Sequence, residues 1–142
     1  MDLSRTHRTI SSAAARALIE AAEKKSQEIG VPMVIAVCDE GGTLVAFSRM
    51  DGAALLSVKI AQDKAYTAVG FGLASHQWYD FIKDDPPLLH GIPQQDRLVV
   101  FGGGYPLRID GQLIGGLGVS GGHYHQDMQV AEAALDALGF AK

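Results

Sequence analysis

The chain has 142 residues, 47% hydrophobic and 20% charged, a balance that excludes disordered and fibrous classes. The net charge is −4 with no block of lysine or arginine, so the electrostatic footprint of a nucleic-acid binder is missing. Cys38 is the single cysteine, which excludes a disulfide scaffold and predicts a reducing, cytoplasmic setting.

The start, Met1 to Arg8, is polar, so no secretory leader is expected, and residues 1–10 read as an arm. Ser11 is placed to cap a helix running to Ile29, with an apolar stripe through Ala14, Leu18 and Ala22. Gly30 stops it, and Pro32 forbids continuation. Met33 to Cys38 reads as a buried strand. Asp39-Glu40-Gly41-Gly42 turns the chain, and Thr43 to Met50 returns as a second strand. Ala53 to Phe71 reads as a second helix, its alanines at 61, 65 and 68 small enough for close packing.

A short helix is expected over His76 to Lys83, closed by Asp84-Asp85-Pro86-Pro87, with a loop over Leu88 to Asp96. Leu98 to Phe101, Leu107 to Ile109 and Leu113 to Val119 read as three further strands, and Asp110-Gly111 as a hairpin turn. A last helix spans Gln126 to Leu138, ended by Gly139. The order is α-β-β-α-α-β-β-β-α. Hairpin-joined strands predict an antiparallel sheet covered by helices, of α+β type, in one domain over 1–142. No apolar run approaches the ~18 residues of a membrane helix.

His123, His125 and Asp127 follow an i, i+2, i+4 spacing. In an extended segment the three side chains share one side. Imidazole moves protons near neutral pH and ligates metals, so His123 and His125 are candidate ligand, metal or catalytic groups. The competing reading is two surface histidines, with Asp127 serving the helix N-terminus. Lys64 lies on a small, apolar helix face. It reads either as a packed stem with a solvated head or as a cation for a ligand carboxylate. Arg49, at a strand end, could hold a carboxylate in a bidentate pair, or form an ion pair with Asp51 or with a neighbouring subunit. Gly102-Gly103-Gly104 could present backbone N–H groups to an anion, chiefly at Gly103 and Gly104. It is no Walker loop, because no Gly-Lys-Ser/Thr follows.

An ordered set of pieces resembles a known family. These are Gly30-Val31-Pro32; Asp39-Glu40-Gly41-Gly42 with Phe47 to Ala53; Lys64-Ala65; Phe101 to Leu107; Gly115 to Gly122; and Gln126-Asp127. Together they are similar to the GlcG/HbpS family, which includes the C-terminal domain of PduO proteins. The likeness covers roughly Ser11 to Leu138. It implies a profilin-like fold with a five-stranded antiparallel sheet, homo-oligomers and, for members of known role, haem binding. It brings no haem ligand onto the first helix, which carries Lys24-Lys25 and no histidine. His123-Tyr124-His125 stands where the family usually has small or acidic residues.

Two functions follow as expectations. One is an oligomeric binder of haem or another carboxylate-bearing ligand. Arg49 and Lys64 would meet the carboxylates, and His123 or His125 the iron. The other is a cofactor-free enzyme of a catabolic pathway, moving a proton on an unsaturated organic acid by isomerisation, hydration or hydrolytic deamination. There His123, His125 and Lys64 would be catalytic. Both place the imidazoles and the cations in one hollow.

Overall fold

Ser11 accepts the Ala14 N–H on its Oγ and so starts helix α1, Ser12–Ile29. Gly30, at φ +71°, takes the left-handed cap that ends it. This is a computed structural model, and it describes residues 1–142. After α1 come strands β1 (Val34–Asp39) and β2 (Leu44–Arg49), then helix α2 (Leu55–Phe71). Two short helices, α3 (Trp78–Ile82) and α4 (Pro86–Gly91), lead to β3 (Gly104–Ile109), β4 (Gln112–Ser120) and α5 (Tyr124–Leu138).

The sheet is antiparallel, in the order β2-β1-β4-β3. Alternation along the strands gives it two different faces. Ile35, Val37, Leu117, Val119, Tyr105 and Leu107 point to the side covered by α1 and α5, where the main core forms. The other face carries Ala36, Gly116, Gly118 and Gly104, and α2 lies directly on it. A Cβ at Gly118 would stand 1.9 Å from the Ala61 carbonyl oxygen, and one at Gly116 2.4 Å from that of Ala65. Glycine on the strand and alanine on the helix therefore bring two backbones into contact.

The sheet has four strands, not the five expected. Leu98 to Phe101 forms no strand: its Val99 N–H goes to a hydroxyl of α2 and not to a neighbouring strand. Thr67 Oγ1, on α2, donates to the Arg97 carbonyl at 2.8 Å and accepts the Val99 N–H at 2.9 Å. Arg97 itself sits at φ +64°. A second correction concerns Pro86-Pro87. They open α4 instead of closing the helix before it: Asp85 caps it by accepting the Leu88 N–H, and proline at the first helical position gives up no needed donor. The expected loop over Leu88 to Asp96 is thus helical in its first part and a 3-10 turn at Ile92–Gln94.

The register fixes which groups share an end of the sheet. Arg49, Val34 and Ser120 lie in one row, so the approach to α5 is at that end. The β1–β2 and β3–β4 turns lie at the other. There the arm before α1 is strapped down by His7 Nδ1 to Glu40 Oε1 at 3.0 Å, and by Arg8 Nη1 to Asp110 Oδ2 at 2.8 Å. Ile10 completes the strap, buried in the main core with its N–H on the Ile114 carbonyl at 2.9 Å.

Candidate functional site

α2 presents Lys64 toward the end of β4, and the lysine is wholly sealed from solvent. Its Nζ donates to Asp127 Oδ2 at 2.7 Å and to the Val119 carbonyl at 2.9 Å. The ammonium lies 5.1 Å from the centre of the Phe101 ring, a cation–π distance. Burial pulls the Lys64 ammonium below the ordinary lysine range, and the Asp127 charge opposes that pull. Burial likewise pushes the Asp127 carboxyl up, against the pull of Lys64. No carboxylate from outside reaches Nζ without displacing Asp127 or Phe101. Lys64 is thus neither the solvated-head lysine nor an open cation. Its partner is Asp127, which the sequence suggested only as a helix-terminus charge.

Asp127 also accepts the Gly122 N–H on Oδ1 at 3.0 Å and so fixes the turn that enters α5. His123 is the helix cap: its Nδ1 accepts the His125 N–H at 3.3 Å, and the Gln126 side chain accepts the His123 N–H at 3.0 Å. Capping pulls the start of α5 back to Tyr124, so His125 stands in the first turn, not in an extended segment. The two imidazoles still meet, with ring centroids 4.7 Å apart, and both residues are exposed.

His125 borders a cleft of about 370 Å³ with Lys25 of α1 and Met128, Gln129, Glu132 and Asp136 of α5. Lys64, Arg49 and His123 do not line this cleft. Sequence reasoning missed its lining. The signal was available, because positions 125, 128, 129, 132 and 136 follow helical spacing on one face.

Arg49 folds back on its own chain, Nε and Nη2 donating to the Ala53 carbonyl at 3.2 and 2.9 Å, and it does not pair with Asp51. Gly103 and Gly104 are buried, and Gly104 gives its N–H to Ser75 Oγ at 2.8 Å. A Cβ at Gly103 would stand 2.7 Å from Lys64 Nζ, so that glycine makes room for the buried ammonium. No group of three or more His, Cys, Asp or Glu side chains is arranged to hold a metal ion.

His125 is the imidazole of this cleft whose ring nitrogens are free to take a ligand. His123 spends Nδ1 on the cap, whereas neither ring nitrogen of His125 has a protein partner. An imidazole of that kind would be able to ligate an iron, and Lys25, held to Glu28 Oε2 at 3.4 Å, is the one cation lining a cleft it shares with Glu132 and Asp136. No helix is long and apolar enough to cross a membrane.

The family model described as "Haem degrading protein HbpS-like" matches residues 10–136. The chain is 41% identical over 140 residues to an uncharacterized 15.0 kDa protein from the dhaT-dhaS intergenic region of Citrobacter freundii, covering 97% of this chain and 98% of that one. It is 42% identical over 123 residues to the corrinoid adenosyltransferase PduO of Salmonella typhimurium, covering 85% of this chain but 36% of PduO. Among solved structures, the Klebsiella pneumoniae protein ORFY superposes with a TM-score of 0.92 at 35% identity, covering 100% of this chain and 99% of ORFY. A PduOC:heme complex superposes with a TM-score of 0.86 at 39% identity, covering 94% of this chain and 97% of that one.

Proposed function

The chain belongs to the HbpS-like family, and from that premise we propose that it binds haem through His125. The observation that carries this reading is the exposed imidazole of His125, its ring nitrogens unpartnered, at the edge of a cleft shared with Lys25 and Met128. The solved complex of a relative with haem supports the ligand class. Bound haem would bring an iron able to take an imidazole and redox chemistry. This chain's residues supply the rest. His125 would ligate the iron, Lys25 would meet a propionate, and His123 holds the first turn of α5 so that His125 is presented outward. The pair of Lys64 and Asp127 fixes the turn beneath them and acts as a positioning pair.

Turnover of an organic acid receives no support from a lysine and an aspartate closed to solvent. The protein works as a cytoplasmic homo-oligomer. Large apolar side chains left in water support assembly: Leu55 and Leu56 on α2 are 72% and 78% exposed.

Titration of the purified protein with haemin tests the assignment. A saturable Soret band should appear, and His125→Ala should displace it and weaken binding roughly tenfold or more, a loss of about 1.4 kcal/mol. His123→Ala should keep the band position. A Soret band unchanged in the His123→Ala/His125→Ala double variant would sink the proposal.

A further inference from the structure

A separate cleft of about 270 Å³ opens beside β3, where it meets the end of α2 and the last residues of the chain. Its side chains include His76, Gln77, Arg108 and Lys142, with Pro106 and Ala74 as an apolar wall, and no Asp or Glu lines it. Arg108 is held there by one of its five N–H groups, Nη2 donating to the Gly72 carbonyl at 2.8 Å. The hold depends on Gly72, since a Cβ there would stand 2.6 Å from Nη2. The other guanidinium donors have no protein acceptor. Gln77 accepts the Ala74 N–H on Oε1 at 3.1 Å, which leaves its amide NH2 as a donor. Lys142 is tethered to Asp136 Oδ1 at 3.1 Å.

His76 lines the same cleft and packs its ring 5.5 Å from that of Tyr105. His76 Nδ1 is a buried atom with no hydrogen-bond partner. Buried polar atoms in folded proteins are nearly always satisfied, and an orphan commonly marks a missing water, ion or ligand.

We propose that this cleft is a binding site for a small oxyanion, distinct from the His125 cleft, with Arg108 as its principal anchor. The shared chemistry is a compact group of two or more oxygens, as in a short carboxylic acid or inorganic phosphate. Arg108 offers the fork that such a group takes in two parallel hydrogen bonds. Gln77 and Lys142 supply further donors, and Pro106 and Ala74 leave room for a short carbon chain.

The test is amide chemical-shift mapping of the whole chain titrated separately with oxalate, acetate and inorganic phosphate, at constant ionic strength. Saturable shifts confined to residues lining this cleft are expected for at least one probe, and the stronger probe names the source. Arg108→Ala should weaken that binding about tenfold, and Arg108→Lys should recover only part of it. Arg108 is an exposed strand residue, so both variants should keep the wild-type far-ultraviolet spectrum. Their haem Soret titration should be unchanged, which separates this site from the haem reading. Absence of saturable shifts at millimolar probe, or shifts that persist unaltered in Arg108→Ala, would overturn the proposal.

Discussion

The Lys64 ammonium stands 2.7 Å from Asp127 Oδ2 with both residues sealed from water, and this contact joins the helix on one face of the sheet to a helix on the other. The link passes the end of β4, where the Val119 carbonyl takes a further hydrogen of Lys64. A buried pair of this kind contributes little net stability while intact, because desolvation offsets attraction. Removing one partner strands the other charge.

Lys64→Met and Asp127→Asn should each destabilise the protein strongly, with about 3–5 kcal/mol for loss of the ammonium. The double variant Lys64→Met/Asp127→Asn should cost clearly less than the sum of the singles. Urea unfolding of the four proteins measures the cycle. Additive single effects would show that the two charges do not depend on each other.

Two glycine-to-alanine substitutions should have opposite signs. Gly118→Ala drives a methyl to 1.9 Å from the Ala61 carbonyl oxygen and should cost about 3 kcal/mol or more as α2 is forced off the sheet. Gly70 lies within α2 with nothing within 4 Å of its would-be Cβ. Gly70→Ala should stabilise by about 0.5–1 kcal/mol through helix propensity. Thermal melts of the two variants report the signs directly.

Burial raises the Cys38 thiol from 9.0 to about 11, while the unfolded chain keeps the ordinary value. Between those pH values the unfolded state has lost the thiol proton and the native state has not. Stability is therefore fully present below pH 9 and falls as pH rises toward 11, at up to about 1.4 kcal/mol per pH unit. Tyr105, whose phenol is raised by burial and by its hydrogen bond to Glu132, adds a loss of the same sign above pH 10. Cys38→Ala should flatten the part of the profile just above pH 9 when urea midpoints are compared across pH. An unchanged profile would mean that the thiol titrates normally in the native protein.

Helix ends were legible because their chemistry is local. Ser11 and Gly30 bound α1, and Gly139 ends α5, as read from single residues with a known backbone preference. The false strand at Leu98 to Phe101 shows the limit. Its apolar character is genuine, but its Val99 N–H goes to the Thr67 hydroxyl, 32 residues away along the chain, and not to a neighbouring strand. The site divided in the same way. Register brings Arg49, Lys64 and the histidine turn to one end of the sheet, as a common hollow would need. Side-chain partners then separate them: Lys64 goes inward to Asp127, Arg49 to the Ala53 carbonyl, and the imidazoles outward. A lone lysine on an alanine-rich helix face read as a solvated head or as a cation for a ligand, and nothing in the spacing named Asp127 as its partner.

The strap formed by His7, Arg8 and Ile10 puts the beginning of the chain at the hairpin-turn end of the sheet, away from the imidazoles. The last residue, by contrast, borders the basic cleft beside β3. A fluorescent label that leaves both clefts free is therefore best attached on the arm beside His7 and Arg8. A label on the Lys142 side chain would crowd the mouth of that cleft and blunt any measurement made on it.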